Sequence, residues 1–238
     1  MKISLRRKKI NLEKTKNVIN DNSRFAVIEG YKIARTNLMF SIAASDRKFV
    51  AFTSWSKGEG KSTATANMAI SLSKMGKRVL LIDADLRKPN IHNLLKLGNE
   101  SGFSEVLGKF KDMDEVIHSQ VLPCLDIVTS GPIPPNPSEL LGSAQVKDIF
   151  ERLESNYDYI LLDTPPIGLV TDALMLKDYI AGYVVVIRER STTHGDIEKL
   201  IRNIKLADSQ ILGFLEVGCK IHDGKRRSKV GYNYYYRT

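Results

Sequence analysis

Apolar residues follow two spacings along this chain. Between Ala26 and Ala44 they recur at helical intervals (Val27, Ile28, Tyr31, Ala34, Leu38, Met39, Ile42), which predicts an amphipathic helix. Elsewhere they form short unbroken runs of strand length: KFVAFTS (48–54), RVLLIDAD (78–85), LDIVTSG (125–131), YILLDTPP (159–166), AGYVVVIRE (181–189) and ILGFLEVG (211–218). Helical patterns separate them, at 61–76 and roughly at 139–155, 172–180 and 194–207. Continuous apolar strands are buried on both faces, so their alternation with helices predicts an α/β fold: a mostly parallel sheet with helices on both sides. One Pro-rich break, GPIPPNPSELL (131–141), leads into a helix whose start Pro137, Ser138 and Glu139 favour. No internal repeat is present, and no second domain is expected.

Composition narrows this picture. A chain of 238 residues, 42% hydrophobic, buries one substantial core. No apolar run reaches the ~18 residues that cross a bilayer. The start MKISLRRKKI is basic without a following apolar stretch and does not read as a secretory signal. Cys124 and Cys219 give no disulfide framework; both are expected to be ordinary buried thiols in a reducing, cytoplasmic setting. The net charge of +9 is concentrated at the ends: residues 1–24 carry +6 and residues 218–238 carry +5, which leaves −2 for the body. Two readings stand for such ends. They are adhesive segments for an anionic membrane, nucleic acid or an acidic protein, or they are solvated, disordered termini.

Candidate chemistry begins at TSWSKGEGKST (53–63), between a predicted strand and a predicted helix. Backbone N–H groups in a glycine turn, followed by a helix N-terminus, make a phosphate cradle. Lys57, Gly58, Glu59, Gly60, Lys61, Ser62 and Thr63 form the expected nucleotide loop, with Lys61 reaching the terminal phosphates and the Ser62 hydroxyl ligating Mg²⁺. The full phosphate-loop pattern places another glycine where Trp55 stands. A plain glycine turn is the competing reading, and strand, GEGKST and helix in register argue against it. One strand on, Asp83 and Asp85 share one face of a strand end, and Asp163 closes another. Ligands collect at the carboxyl ends of parallel strands, so three carboxylates beside a phosphate loop predict a Mg²⁺ site.

GKST followed by LLIDADLRKP and LLDTPP resembles the deviant-Walker ATPases of chromosome partitioning and division-site placement. The signature lysine of those enzymes is absent, since Ser56 holds its place. DADLRKP, PPNPSELL and the tail YNYYY instead resemble the bacterial tyrosine kinases of capsule and exopolysaccharide systems, from about Glu29 to the C-terminus. That resemblance implies a P-loop fold that uses ATP and Mg²⁺. Lys61 would bind the β- and γ-phosphates, and Ser62 and Asp85 would hold Mg²⁺ with Asp163 acting through water. Asp83 would accept the proton of the incoming tyrosine. Arg87 and Lys88 would add charge stabilisation or contact an acidic partner. The family's Glu-x-x-Arg-x-x-Arg helix motif of ring assembly reads Glu29, Lys32, Arg35 here; a solvated charged face is the plainer alternative. Where relatives carry an asparagine that holds the base, this chain has Glu216 and Val217.

In that context Tyr232, Tyr234, Tyr235 and Tyr236 read as phosphoacceptors, rather than as core or as a stacking surface for nucleic acid. The expected organisation is a basic arm (1–24), a kinase domain (25–220) and a tyrosine-rich tail (221–238). Expected partners are a separate transmembrane activator, further copies in a ring, exogenous protein substrates and, through the arm, a membrane surface; nucleic acid is not expected. The activator would hold this cytoplasmic protein at the inner face of the membrane. The rival reading is a partitioning-type ATPase that switches on DNA or membrane, and a nucleotide-gated scaffold is a third.

Overall fold

The computed structural model describes residues 10–15 and 17–219. A short 3-10 helix (Leu12–Lys14) is followed by α1 (Phe25–Ser41), β1 (Phe49–Ser54), α2 (Lys61–Ser73) and β2 (Val79–Asp83). Three short helices follow, α3 (Ile91–Leu95), α4 (Phe103–Leu107) and α5 (Met113–Val116), and then β3 (Ile117–Leu122) and β4 (Leu125–Val128). The rest comprises α6 (Pro137–Leu141), α7 (Gln145–Glu154), β5 (Tyr159–Asp163), a 3-10 turn (Asp172–Leu176), β6 (Gly182–Arg188), α8 (His194–Leu206) and β7 (Ile211–Val217).

The strands make one sheet in the order β3-β4-β2-β5-β1-β6-β7, parallel throughout except for the β3–β4 pair. Alternate residues of the central strands feed separate layers: Phe49, Ala51, Leu80 and Ile82 face one, and Val50, Phe52, Val79 and Leu81 the other. The first layer is filled from α7 and α8 by Phe150, Leu200 and Ile204, the second from α1 and α2 by Leu38, Met68 and Leu72. Phe150 stacks on Phe49 with ring centroids 3.9 Å apart. Such a pair contributes about 0.5–1.5 kcal/mol beyond its buried area. The expected mostly parallel α/β sheet with both faces covered is therefore present.

The differences have local causes. Residues 91–124 gave no periodic signal because their helices span only 4–5 residues. Strand β3, IHSQVL, is an edge strand whose polar positions break the apolar run. The helix expected at 139–155 is two, split around Gly142 and Ser143, and the one at 172–180 is the 3-10 turn. Cys124 and Cys219 are exposed rather than buried, because Cys124 sits in the tight β3–β4 turn and Cys219 lies past the end of β7. The chain also joins the body well before residue 25: Val18 and Ile19 are buried, the Ile19 N–H donates to Asn67 Oδ1 (2.8 Å), and the Ile10 N–H to Val121 O (3.2 Å). Residues 1–9 and 220–238, which hold the Arg6–Lys9 cluster and all four tail tyrosines, lie outside the described residues.

Candidate active site

Strand β1 ends at Ser54, and the backbone must reverse within six residues to begin α2 at Lys61. Gly60 makes that reversal at φ 89°, a left-handed conformation that side chains disfavour, and Val217 Cγ2 lies 3.3 Å from where a Cβ would sit. A glycine is equally required at Gly168, where a Cβ would lie 2.3 Å from the Trp55 carbonyl oxygen. The loop is also braced from within. Glu59, only 2% exposed, accepts the Ser56 N–H (2.9 Å) and the Thr192 hydroxyl, and Thr192 Oγ1 accepts the Arg188 N–H (2.9 Å). Expected among the phosphate-facing residues, Glu59 instead turns its carboxylate inward and ties the loop to the β6–α8 connection.

Below the loop, Asp83 and Asp163 are register partners on β2 and β5. Lys61 Nζ lies 2.6 Å from Asp163 Oδ1 and 3.7 Å from Asp85 Oδ2. Burial works against its charge, but Asp163, Asp85 and Asp83 together outweigh that and hold its pKa above the ordinary lysine value. Burial raises the pKa of Asp163, against the opposing pull of Lys61 and hydrogen bonds from Lys61 and Ser62. Thr65 donates to the same oxygen of Asp163 as Lys61 does (3.3 Å), while Asp163 Oδ2 is buried with no hydrogen-bond partner. Asp83 is 0% exposed, and its carboxylate accepts N–H groups of Asp85 (3.3 Å), Asn90 (3.0 Å) and Ile91 (3.0 Å). Desolvation, then the charge of Asp163, push its pKa up to about 8.

These groups border a cleft of about 820 Å³ onto which Lys57, Gly58, Gly60, Lys61, Ser62, Thr63 and Asp85 open. Asp83 and Asp163, both 0% exposed, do not line it. Among the described residues no three His, Cys, Asp or Glu side chains form a metal cluster. Mg²⁺ does not need one, because it usually takes one or two carboxylates together with phosphates and waters. The unpartnered Asp163 Oδ2, the cleft-facing Asp85 and the nearby Ser62 hydroxyl are an oxygen set of that kind.

Arg87 and Asp172 form a connection that the sequence did not disclose. Arg87 donates from Nε and Nη2 to both oxygens of buried Asp172 (2.7 and 3.1 Å), and Ser138 bridges the two side chains (2.9 and 2.7 Å). The DLRKP and PPNPSELL blocks thus meet at one carboxylate. On α1, Glu29 and Lys32 pair at 2.7 Å on the surface, whereas Arg35 turns inward and donates to Ser71 O (2.8 Å). Burial, partly offset by Glu29, lowers the pKa of Arg35. Val217 reaches over Gly60, at the end of the loop where a base-holding asparagine was absent. Arg188 and Thr192 were also missed; their one sequence signal is their place at the end of an apolar strand.

Strand, glycine loop, helix and flanking acidic strand ends define a P-loop nucleotide-binding protein. A family described as an AAA domain matches residues 47–217. The chain is 40% identical over 204 residues to the tyrosine-protein kinase YwqD of Bacillus subtilis, across 86% of this chain and 85% of that one. Its fold is similar to the kinase domain of the Escherichia coli tyrosine kinase ETK (TM-score 0.81, 28% identity, 95% of this chain and 89% of that one). It is also similar, at TM-score 0.60 and 25% identity over 71% of this chain and 69% of the other, to the septum site-determining protein MinD of Pyrococcus horikoshii complexed with Mg-ADP. The chain belongs to this AAA-domain family and, within it, to the bacterial tyrosine-protein kinases.

Proposed function

We propose that the chain is an ATP-dependent protein tyrosine kinase that phosphorylates Tyr232, Tyr234, Tyr235 and Tyr236 of a neighbouring copy and thereby regulates capsular or extracellular polysaccharide synthesis. Lys61, which lines one cleft with Asp85 and is paired there with the buried Asp163, itself the sheet neighbour of Asp83, carries this reading. Loop amides and the start of α2 hold the ATP phosphates, and Lys61 leaves Asp163 for the β- and γ-phosphate oxygens. Mg²⁺, held by Ser62 and Asp85 with Asp163 acting through water, would neutralise charge on the transferring group.

A phenol is a weak nucleophile until its proton leaves, and the ionised form of Asp83, whose pKa is pushed up to about 8, takes that proton. The tyrosine oxygen bonds to the γ-phosphorus, the bond from that phosphorus to the bridging oxygen breaks, and ADP departs with the electron pair. Because Asp83 is covered by the turn from Asp85 to Asn90, this turn moves when the acceptor enters. Glu29 and Lys32 offer the exposed edge of α1 to the next subunit of a ring, and Arg35 fixes α1 to α2 behind them. A separate transmembrane activator brings the assembly to the inner membrane face, where the basic segment 1–24 contacts lipid and exogenous proteins are further substrates. Extensive similarity to the tyrosine-protein kinase YwqD over most of its length supports the tyrosine-kinase activity in this reading.

Mass spectrometry of the full chain after incubation with Mg-ATP and the activator tests the proposal. Phosphate is expected on residues 232–236, absent in Lys61→Met and reduced at least about 100-fold in Asp83→Asn. The likeness to MinD favours one second reading, a nucleotide-driven switch on DNA or membrane. Steady phosphate release with no phosphotyrosine under those conditions would establish it and remove the kinase.

A further inference from the structure

Arg87 and Lys88 are neighbours in sequence with different fates in the fold. Arg87 is consumed by Asp172 and Ser138. The Lys88 N–H donates to Asp85 Oδ1 (3.0 Å), which fixes its backbone at the edge of the carboxylate cluster, while its exposed side chain lines the cleft. Among the described residues Lys88 has no ion-pair partner. The same cleft carries an apolar patch formed by Pro166, Val170 and Leu169, the last 60% exposed.

We propose that this cleft selects tyrosines with a negative charge beside them, the ring resting on Leu169 and the flanking anion on Lys88. The inference rests on the kinase reading and names the acceptor chemistry of that site. An exposed leucine beside Pro166 and Val170 offers the phenol ring a surface that water does not favour. In an extended acceptor successive residues rise about 3.3 Å, so a group one or two positions from the tyrosine is within reach of a lysine stem. The three nearby aspartates, Asp83, Asp85 and Asp163, make an unbalanced anion unwelcome, and Lys88 supplies the balance at the rim. An ammonium on a flexible stem accepts carboxylate and phosphate alike, without the planar match that a guanidinium imposes.

Phosphotyrosine is such an anion, so the chemistry feeds back on a cluster. Residues 218–238 contain one acid, Asp223, which lies nine positions before the first of the four tail tyrosines. The first phosphate therefore enters an acceptor with no acidic side chain nearby and is slow. It then supplies roughly −1.5 to −2 charges next to the remaining tyrosines, and later transfers are faster.

The test uses the full chain with Mg-ATP, its activator and two synthetic peptides of the sequence of residues 231–238, one unmodified and one phosphorylated on the tyrosine of position 236. The phosphorylated peptide is expected to show a kcat/KM about three- to tenfold higher. In Lys88→Gln that ratio falls to about one, and in Lys88→Glu it drops below one. Leu169→Ser, by contrast, lowers kcat/KM for both peptides by the same factor. Equal use of the two peptides by the wild type, or a ratio unchanged in Lys88→Gln, overturns the role of Lys88 and leaves the kinase standing. Phosphate on neither peptide and none on the tail overturns the kinase reading, and this inference with it.

Discussion

The carboxylates of Asp83 and Asp163 end neighbouring parallel strands, so each feels the other's charge in a place that water does not reach. Burial first, and Asp163 second, raise the Asp83 pKa to about 8. A raised carboxylate pKa means that the protonated form is the one the fold favours. Its stabilising effect is complete below the unfolded-state pKa near 3.8 and disappears as pH climbs through about 8. Wild type should thus lose Tm relative to Asp83→Asn between pH 5 and 9 when both are scanned by calorimetry without nucleotide. A Tm difference that stays constant over that range would show that Asp83 ionises as an ordinary aspartate. Asp83, Asp85 and Asp163 were legible from sequence because short apolar runs end at them, and Lys61 because GEGKST lies between a strand and a helix. The inward turn of Glu59 was not, since its partner Thr192 is 133 residues away.

At the level of elements, the Arg87–Asp172–Ser138 contact joins the end of β2 to the 3-10 turn and to α6. Arg87 is partly solvated, so its charge alone contributes little. Its loss matters because the carboxylate of Asp172, 1% exposed, would be left with only Ser138 to satisfy it. Arg87→Ala should therefore destabilise the domain by about 1–3 kcal/mol, read as a lower urea midpoint with unchanged m-value. Arg87→Lys should recover only part of that, because a single ammonium cannot fill both carboxylate oxygens. The sequence displayed DLRKP and PPNPSELL as two conspicuous blocks, yet not that they meet. Pairing of side chains from distant loops leaves no periodic trace, in contrast to the two-residue and 3.6-residue repeats that revealed strands and long helices. The four- and five-residue helices between β2 and β3 were illegible for the same reason.

For the whole molecule, charge is the quantity that phosphorylation alters most. Residues 1–24 carry +6 and residues 218–238 carry +5, and each added phosphate brings roughly −1.5 to −2 at neutral pH. About three phosphates therefore neutralise the C-terminal segment. In the proposed ring this should weaken association: light scattering should show a smaller species after Mg-ATP treatment, and phosphatase should restore the larger one. An unchanged mass through that cycle would separate phosphorylation from assembly. The strand order has a different consequence, for how the chain folds. Strands β2, β4 and β3 lie side by side and can begin a sheet among themselves. Strand β1, which leads into the phosphate loop, pairs only with β5 and β6, and its first partner, Phe49 with Ile160, is about 110 residues downstream. During synthesis from the N-terminus, the phosphate loop is thus made well before the strands that frame it. Until β5 emerges from the ribosome, β1 is an apolar strand with two open edges, the kind of segment that chaperones hold.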